Sequence, residues 1–180
     1  MADGLNQARA LRVAELMNDY RTLLLHISQL NVSVPAEDQA EDGYRVLREC
    51  LAAANALMSS HYSPSPPPTN TSNEEAERAQ LRRVILDGSA RRFQAHRIYL
   101  RAAAAKRWVM HRGNILQGQR PGQQHADQIK AVNGTFRQEL AQISNQHVVA
   151  DLRAADVRAG HWLDDDPTLD AILSWIRSHP

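Results

Sequence analysis

The sequence predicts a mainly α protein: a helical bundle domain over residues 1–145, followed by a small C-terminal α/β appendage over residues 146–180. Two observations favour helices. Aromatic residues make up only 5% of the chain, and apolar residues recur at spacings of three and four along most of it. The appendage is predicted from a change of character after Asn145, where short apolar runs compatible with β-strands appear.

Five amphipathic helices are expected in the first domain, because five stretches place their apolar residues on one side at 3.6 residues per turn. Their apolar faces are Leu16, Tyr20, Leu23, Leu24, Ile27 and Leu30; Tyr44, Leu47, Leu51, Ala54 and Met58; Leu81, Val84 and Ile85; Phe93, Leu100, Ala103, Ala104 and Trp108; and Ile129, Val132, Phe136, Leu140 and Ile143.

Breaks between these helices are expected where polar, glycine or proline residues gather. The first helix is expected from about Leu5 to Leu30. Residues 59–73 are expected to form a flexible Pro-rich loop, and its last residue, Asn73, is expected to cap the next helix. Asp87-Gly88-Ser89 is expected to interrupt the third helix, with Ser89 capping a fourth that ends at Gly113.

The expected α/β appendage combines a hairpin, or a small irregular β unit, with a short helix. The two strands are predicted at Val148-Val149 and at residues 161–163, with Gly160 between them. Asp166 followed by Pro167 predicts a helix start, with the aspartate as cap and the proline at the first helical position.

The search for catalytic chemistry yields no candidate site. Glycine-rich phosphate loops, nucleophile elbows and paired zinc-binding histidines are absent from the sequence, so we predict that the protein is not an enzyme and that it has no cofactor and no metal site. Its single cysteine, Cys50, excludes an internal disulfide and is expected in the core. Asp164, Asp165 and Asp166 are interpreted as a solvated turn with a helix cap.

No apolar run approaches the roughly 20 residues of a membrane span, which predicts a soluble, intracellular protein.

Charge is distributed unevenly, because residues 78–112 contain ten basic residues and one acidic residue, whereas the whole chain has a net charge of +1. Such a basic segment is either neutralised by acidic parts of this chain or of a partner, or it binds phosphates, and both hypotheses stay open. The second describes a nucleocapsid-like, self-assembling protein. A third hypothesis is an adaptor that recruits partners through its Pro-rich residues 63–68.

Four stretches of the chain form an ordered set: AEDGYRVLRECLAAANAL, RRFQAHRIYLRAAAAKRWVMHRGNIL, ADQIKAVNGTFRQELAQI and HVVADLRAADVRAGHWLDDD. In this order they resemble successive elements of the GINS complex subunit of the Psf-one type. The positions that carry the resemblance are Asp42-Gly43, Arg92, His96, Tyr99, Arg101 and Trp108, then Val149, Asp151, Leu152, Arg153, Asp156, Arg158, Gly160, Leu163, Asp165 and Asp166. The sister subunit of the Sld-five type shares the domain order and stays an alternative. The family's C-terminal domain is usually longer than residues 146–180.

The resemblance implies a non-catalytic structural subunit of a nuclear heterotetramer of related helical chains. Its partners would be the three other GINS subunits, the MCM helicase, the Cdc-forty-five protein and polymerase epsilon, with an indirect association with DNA and none with a membrane. The subunit interface would contain basic-helix residues, namely Arg91, Arg92, Tyr99, Arg101 and Trp108. Partner docking would fall to the C-terminal unit, through Asp151, Arg153, Asp156, Arg158 and Trp162.

Overall fold

The computed structural model of the chain describes residues 42–59, 74–118, 123–160 and 166–179, together with residues 11, 12, 14–16, 18, 21–23, 25–27 and 29. These residues form helices and short connections, and none of them lies in a strand. The predicted mainly α fold is therefore confirmed, and the α/β appendage is not supported.

Five helices follow the N-terminal helical segment, whose described residues between 11 and 27 are all helical. Their bounds are α1 Asp42–Ser59, α2 Glu74–Gly118, α3 Gln123–Gln142, α4 Asn145–Ala159 and α5 Leu169–Ser178. Helix α2, at 45 residues, is about 68 Å long at 1.5 Å per residue. It is the central element, because α1, α3, α4 and α5 all pack against it.

The first core lies between α1, the C-terminal half of α2, α3 and the N-terminal segment. Trp108 of α2 is at its centre, packed against Tyr44 of α1 and Phe136 of α3. Small residues of α2 let the neighbouring helices approach closely, because a methyl side chain adds little width to a helix. These buried residues are Ala95, Ala102, Ala104 and Ala105.

A second core joins the N-terminal half of α2 to the last two helices. Phe93 of α2 is 1% exposed and packs with Val148 and Val149 of α4 and Ile172 of α5. Residues of the predicted appendage therefore bury their apolar side chains against the helix of the predicted first domain. The boundary at residue 145 stays a prediction.

The predicted interruption at Asp87, Gly88 and Ser89 is wrong, because α2 is continuous from Glu74 to Gly118. Gly88 is buried in this helix, and Asp87 receives a hydrogen bond from the Arg91 side chain one turn later. Tertiary packing on both sides of this point overrides the weak helix propensity of glycine. Gly113 does not end the helix either, since five further residues follow it.

The predicted hairpin around Val148 and Val149 is also wrong, since both valines lie in α4. Ser144 caps this helix by accepting a hydrogen bond from the His147 backbone N–H at 3.1 Å. Gly160 ends it with a φ of 72°, in the left-handed region that glycine occupies without strain. Its N–H donates to the carbonyl oxygens of Asp156 and Val157. Residues 161–163, the second predicted strand, lie outside the described residues.

Helix α5 begins two residues later than the sequence predicts. Thr168 is the cap, because its side chain accepts from the Ala171 N–H at 3.4 Å. Asp166 and Pro167 precede the helix, and Asp166 is not a solvated cap, since its side chain is 8% exposed. Several predicted features lie outside the described residues. They are Asp164 and Asp165, residues 60–73 of the Pro-rich segment, and with them Asn73, the predicted cap of the next helix. Residues 5–10 of the first predicted helix lie outside them too.

Candidate functional site

A buried charge cluster joins four parts of the chain. Asp156 of α4 contacts Arg92 of α2, with Arg92 Nη1 at 2.8 Å from Oδ1 and 3.0 Å from Oδ2. Arg12 of the N-terminal segment reaches the same carboxylate and lies 3.5 Å from Asp166 Oδ2. All of these side chains are less than 10% exposed.

The formal charges of the two arginines and two aspartates described in this cluster cancel. A charge that is removed from water needs a partner of opposite charge, because its desolvation costs roughly several kcal/mol. Arg153 adds a hydrogen bond from its guanidinium to the Pro167 carbonyl oxygen at 3.3 Å. The cluster therefore fixes the N-terminal segment, α2, α4 and the entry to α5 relative to one another.

Gly43 and Trp108 meet where α1 crosses α2. A Cβ atom at position 43 would overlap the indole ring, with the Cζ3 atom of Trp108 only 2.7 Å away. Tyr44 packs its ring edge-on against Trp108, with ring centroids 5.3 Å apart. The indole Nε1–H donates to Asn133 Oδ1 at 2.8 Å, so this buried polar group is satisfied from α3.

The third contact between helices is polar and more exposed. His96 of α2 and Asp151 of α4 lie 2.7 Å apart, Nε2 to Oδ2, and the aspartate side chain is 47% exposed. Tyr99 stacks near the His96 ring, with centroids 6.3 Å apart. This contact ties α4 to the middle of α2.

An open groove of about 660 Å³ runs along α2 between α1 and α5. Its floor is one face of α2, and its walls are largely apolar. The floor comprises Asp87, Ala90, Arg91, Phe93, Gln94, Arg97, Ile98 and Arg101; the walls are Glu49, Cys50, Ala53, Ala56 and Leu57 of α1, and Leu173, Trp175, Ile176 and His179 of α5. A groove of this size falls in the range of ligand-binding clefts.

Asp87 holds the α5 wall of this groove in place. Its Oδ1 accepts a hydrogen bond from the Trp175 indole N–H at 3.1 Å. The same carboxylate pairs with Arg91 one helical turn along α2, at 3.3 Å from Nε. Arg91 is therefore neutralised within the chain.

Cys50 lies on the α1 wall, and its side chain is buried. Burial raises the pKa of this thiol, while the charge of Arg101 and a side-chain hydrogen bond with it act in the opposite direction. A buried thiol with a raised pKa is a poor nucleophile. Its expected place in the core is confirmed.

The structure places the predicted interface residues in three different surroundings. Arg92 and Trp108 are 7% and 2% exposed and make their contacts inside the chain. Arg91 and Arg101 line the groove, and Tyr99 is half-buried beside the first core. Arg91, Tyr99 and Arg101 are therefore partly accessible to a partner, whereas Arg92 and Trp108 are not.

The predicted docking residues are similarly divided. Asp156 is buried in the charge cluster, and Asp151 and Arg153 make the contacts given above. Arg158 is exposed near the end of α4, and Trp162 lies outside the described residues.

The sequence did not predict Arg12, the pairing of Asp166 with it, or the groove. Arg12 carried no distinguishing signal, because Arg9 and Glu15 are charged residues of the same predicted helix. The groove had no signal, because α5 reaches α2 only through tertiary packing.

Within the described part of the chain, no group of three or more histidine, cysteine, aspartate or glutamate side chains is placed to hold a metal ion. No helix in that part is long and apolar enough to cross a membrane. No protein-family model matches the chain, and no curated protein and no solved structure matches it.

Proposed function

We propose that the chain is a non-catalytic structural subunit of a GINS-type heterotetramer. In this assembly it would join the MCM motor and the Cdc-forty-five protein to form the replicative DNA helicase in the nucleus, and would contact polymerase epsilon. The proposal starts from the ordered resemblance of four stretches to the Psf-one type of subunit.

Contacts between residues of different stretches support the proposal. Residues that the resemblance selects in different stretches contact one another: Gly43 lies on Trp108, Arg92 pairs with Asp156 and His96 pairs with Asp151. Each contact joins two of the four stretches, over sequence separations of 55 and 64 residues for the two polar pairs. The positions selected by the resemblance thus act together in holding one helical body.

The surface of this body favours assembly with other chains. The groove along α2 leaves apolar residues of α1 and α5 open to solvent. Large hydrophobic side chains are exposed on several helices, for example Met110 at 58% and Val157 at 62%. Such side chains are stabilised when a partner chain covers them.

The test is purification of the tagged full chain from its own cells at moderate and high salt, with and without nuclease. We expect three helical chains of similar size in equal amounts, retained at high salt and after nuclease treatment. Native mass spectrometry of the eluate then measures the stoichiometry directly. A tag-only purification is the control for nonspecific capture.

Two results would contradict the proposal. One is a stable, monodisperse monomer at micromolar concentration that recovers no partner chain. The other is recovery of nucleic acid alone, with binding that weakens about a thousandfold over a fourfold rise in salt, as expected for contacts with six or more phosphates. That second result would assign the basic residues of α2 to a nucleocapsid-like function.

A further inference from the structure

The groove along α2 has the length and shape to receive a helix. Its floor runs from Asp87 to Arg101, a rise of about 21 Å, or about four helical turns. Helices α1 and α5 line its two sides, and both rest on α2. A helix placed between them would complete the layer that covers this face of α2.

The apolar lining suits one side of an amphipathic helix. On the α1 wall, Ala53, Ala56 and Leu57 recur at spacings of three and four, so they form one continuous stripe. Leu173 and Ile176 do the same on the α5 wall. Small alanines on one side and larger aliphatic groups on the other leave room for leucine-sized side chains of an occupant.

The charges of the groove decide which helix fits. Arg91 on the floor is paired with Asp87, and elsewhere on α2 Arg92 and Arg107 are paired with Asp156 and Glu139. Arg97 and Arg101 have no carboxylate partner within ion-pair distance among the described residues, and both line the groove. They lie four residues apart, one turn along α2. With Glu49 on the α1 wall, the lining retains a net positive formal charge.

We propose that this groove binds an acidic amphipathic helix of a partner chain, with its carboxylates on Arg97 and Arg101. This inference rests on the proposed function, since it names the chemistry of a partner in that assembly. The occupant places leucine-like residues at i, i+3 or i+4, and i+7 against the two walls. Aspartate or glutamate residues three or four positions apart face the two guanidinium groups, where charge-assisted hydrogen bonds form.

The direct test uses a labelled helical peptide of about 18 residues, long enough to be helical in water. It carries leucines on one face and glutamates beside them, and a matched peptide carries lysines instead of the glutamates. Fluorescence anisotropy with the full chain should give about tenfold or tighter affinity for the acidic peptide. The double substitution Arg97→Glu and Arg101→Glu should reverse that preference.

Matched controls separate the groove from the rest of the surface. Ala56→Trp fills the groove and should weaken binding about tenfold, whereas Ala52→Trp, exposed on α1 outside the groove, should leave it within about twofold. Arg82→Glu with Arg83→Glu, exposed on α2 away from the groove, controls for net charge. Circular dichroism checks that each variant is folded.

The inference is overturned if neither peptide binds, if both bind equally, or if Ala56→Trp and Ala52→Trp behave alike. Displacement of the peptide by an oligothymidine strand would assign the groove to nucleic acid instead. If the peptide binds as expected but the native purification recovers no partner chains, the GINS-type assembly is rejected and the groove proposal stands. If the Arg97→Glu, Arg101→Glu variant still recovers the partner chains in full, the groove proposal is rejected and the assembly stands.

Discussion

The Arg92 guanidinium and the Asp156 carboxylate, 64 residues apart in the chain, form a buried ion pair in which Nη1 lies 2.8 Å from Oδ1. Arg12 contacts the same carboxylate from the opposite end of the sequence. One aspartate therefore connects the N-terminal segment, α2 and α4. Buried pairs of this kind tolerate the loss of one member poorly, because the remaining charge stays desolvated.

Asp156→Asn should lower the free energy of unfolding by about 3 kcal/mol or more. The substitution keeps the shape of the side chain but leaves Arg12 and Arg92 with Asp166 as the carboxylate of the cluster. Urea unfolding of the full chain measures the effect. Glu49→Gln, at an exposed position of α1, is the matched control and should change stability by less than about 0.5 kcal/mol. Equal unfolding midpoints for the two variants would contradict this account of the cluster.

Gly43→Ala should destabilise the protein, although alanine is the better helix former. The added methyl group would overlap the indole ring of Trp108, and overpacking of this kind costs about 1–3 kcal/mol. Gly113→Ala is the control on α2, because a Cβ there meets nothing within 4 Å. It should stabilise by up to about 1 kcal/mol. Thermal unfolding of both variants checks the opposite signs, and a stabilised Gly43→Ala variant would rule out the close crossing.

Sequence periodicity predicted the helices whose packing is one-sided. The faces of α1 and α3 follow spacings of three and four. Leu47 and Phe136 on these faces are buried, whereas Met58, at the end of α1, is 45% exposed. Their positions required no knowledge of the rest of the fold. Helix α2 is different, because four helices cover different sides of it. Its apolar residues therefore do not form a single stripe, and the local signal at Gly88 suggested a break.

The error in α4 has a local cause. Val148 and Val149 are adjacent and β-branched, which is typical of a strand. The caps carried the better signal, because Ser144 before the helix and Gly160 after it mark the two ends of a segment rich in alanine.

The charge cluster and the groove depend on contacts between residues far apart in sequence, such as Arg12 with Asp156. A single sequence contains no information about those pairs.

The stability difference between the wild type and Cys50→Ala should shrink at alkaline pH. Burial raises the pKa of the Cys50 thiol in the folded protein, whereas the unfolded thiol ionises near pH 8.5, its approximate ordinary value. Above that pH the unfolded chain binds fewer protons than the folded one, so the free energy of unfolding falls as pH rises. Cys50→Ala lacks this component.

Urea unfolding of both proteins at about pH 7 and about pH 9.5, on either side of the unfolded thiol's pKa, measures that change. Tyrosine and lysine ionisation affects both proteins alike and cancels in the comparison. A stability difference that stays constant between the two pH values would mean that the folded thiol titrates like the unfolded one.

Trp175→Phe should loosen α5 without unfolding the rest of the chain. The indole N–H donates to Asp87 Oδ1 at 3.1 Å, and phenylalanine retains much of the apolar contact but not this bond. Loss of one hydrogen bond to a charged acceptor costs about 1.5–3 kcal/mol. Because α5 is only 10 residues long, its helix depends on packing against α2. Hydrogen exchange should therefore accelerate in residues 169–178 and stay unchanged in α1. Ser174→Ala, exposed on α5, is the control, and equal exchange in both variants would mean that Asp87 does not hold this helix.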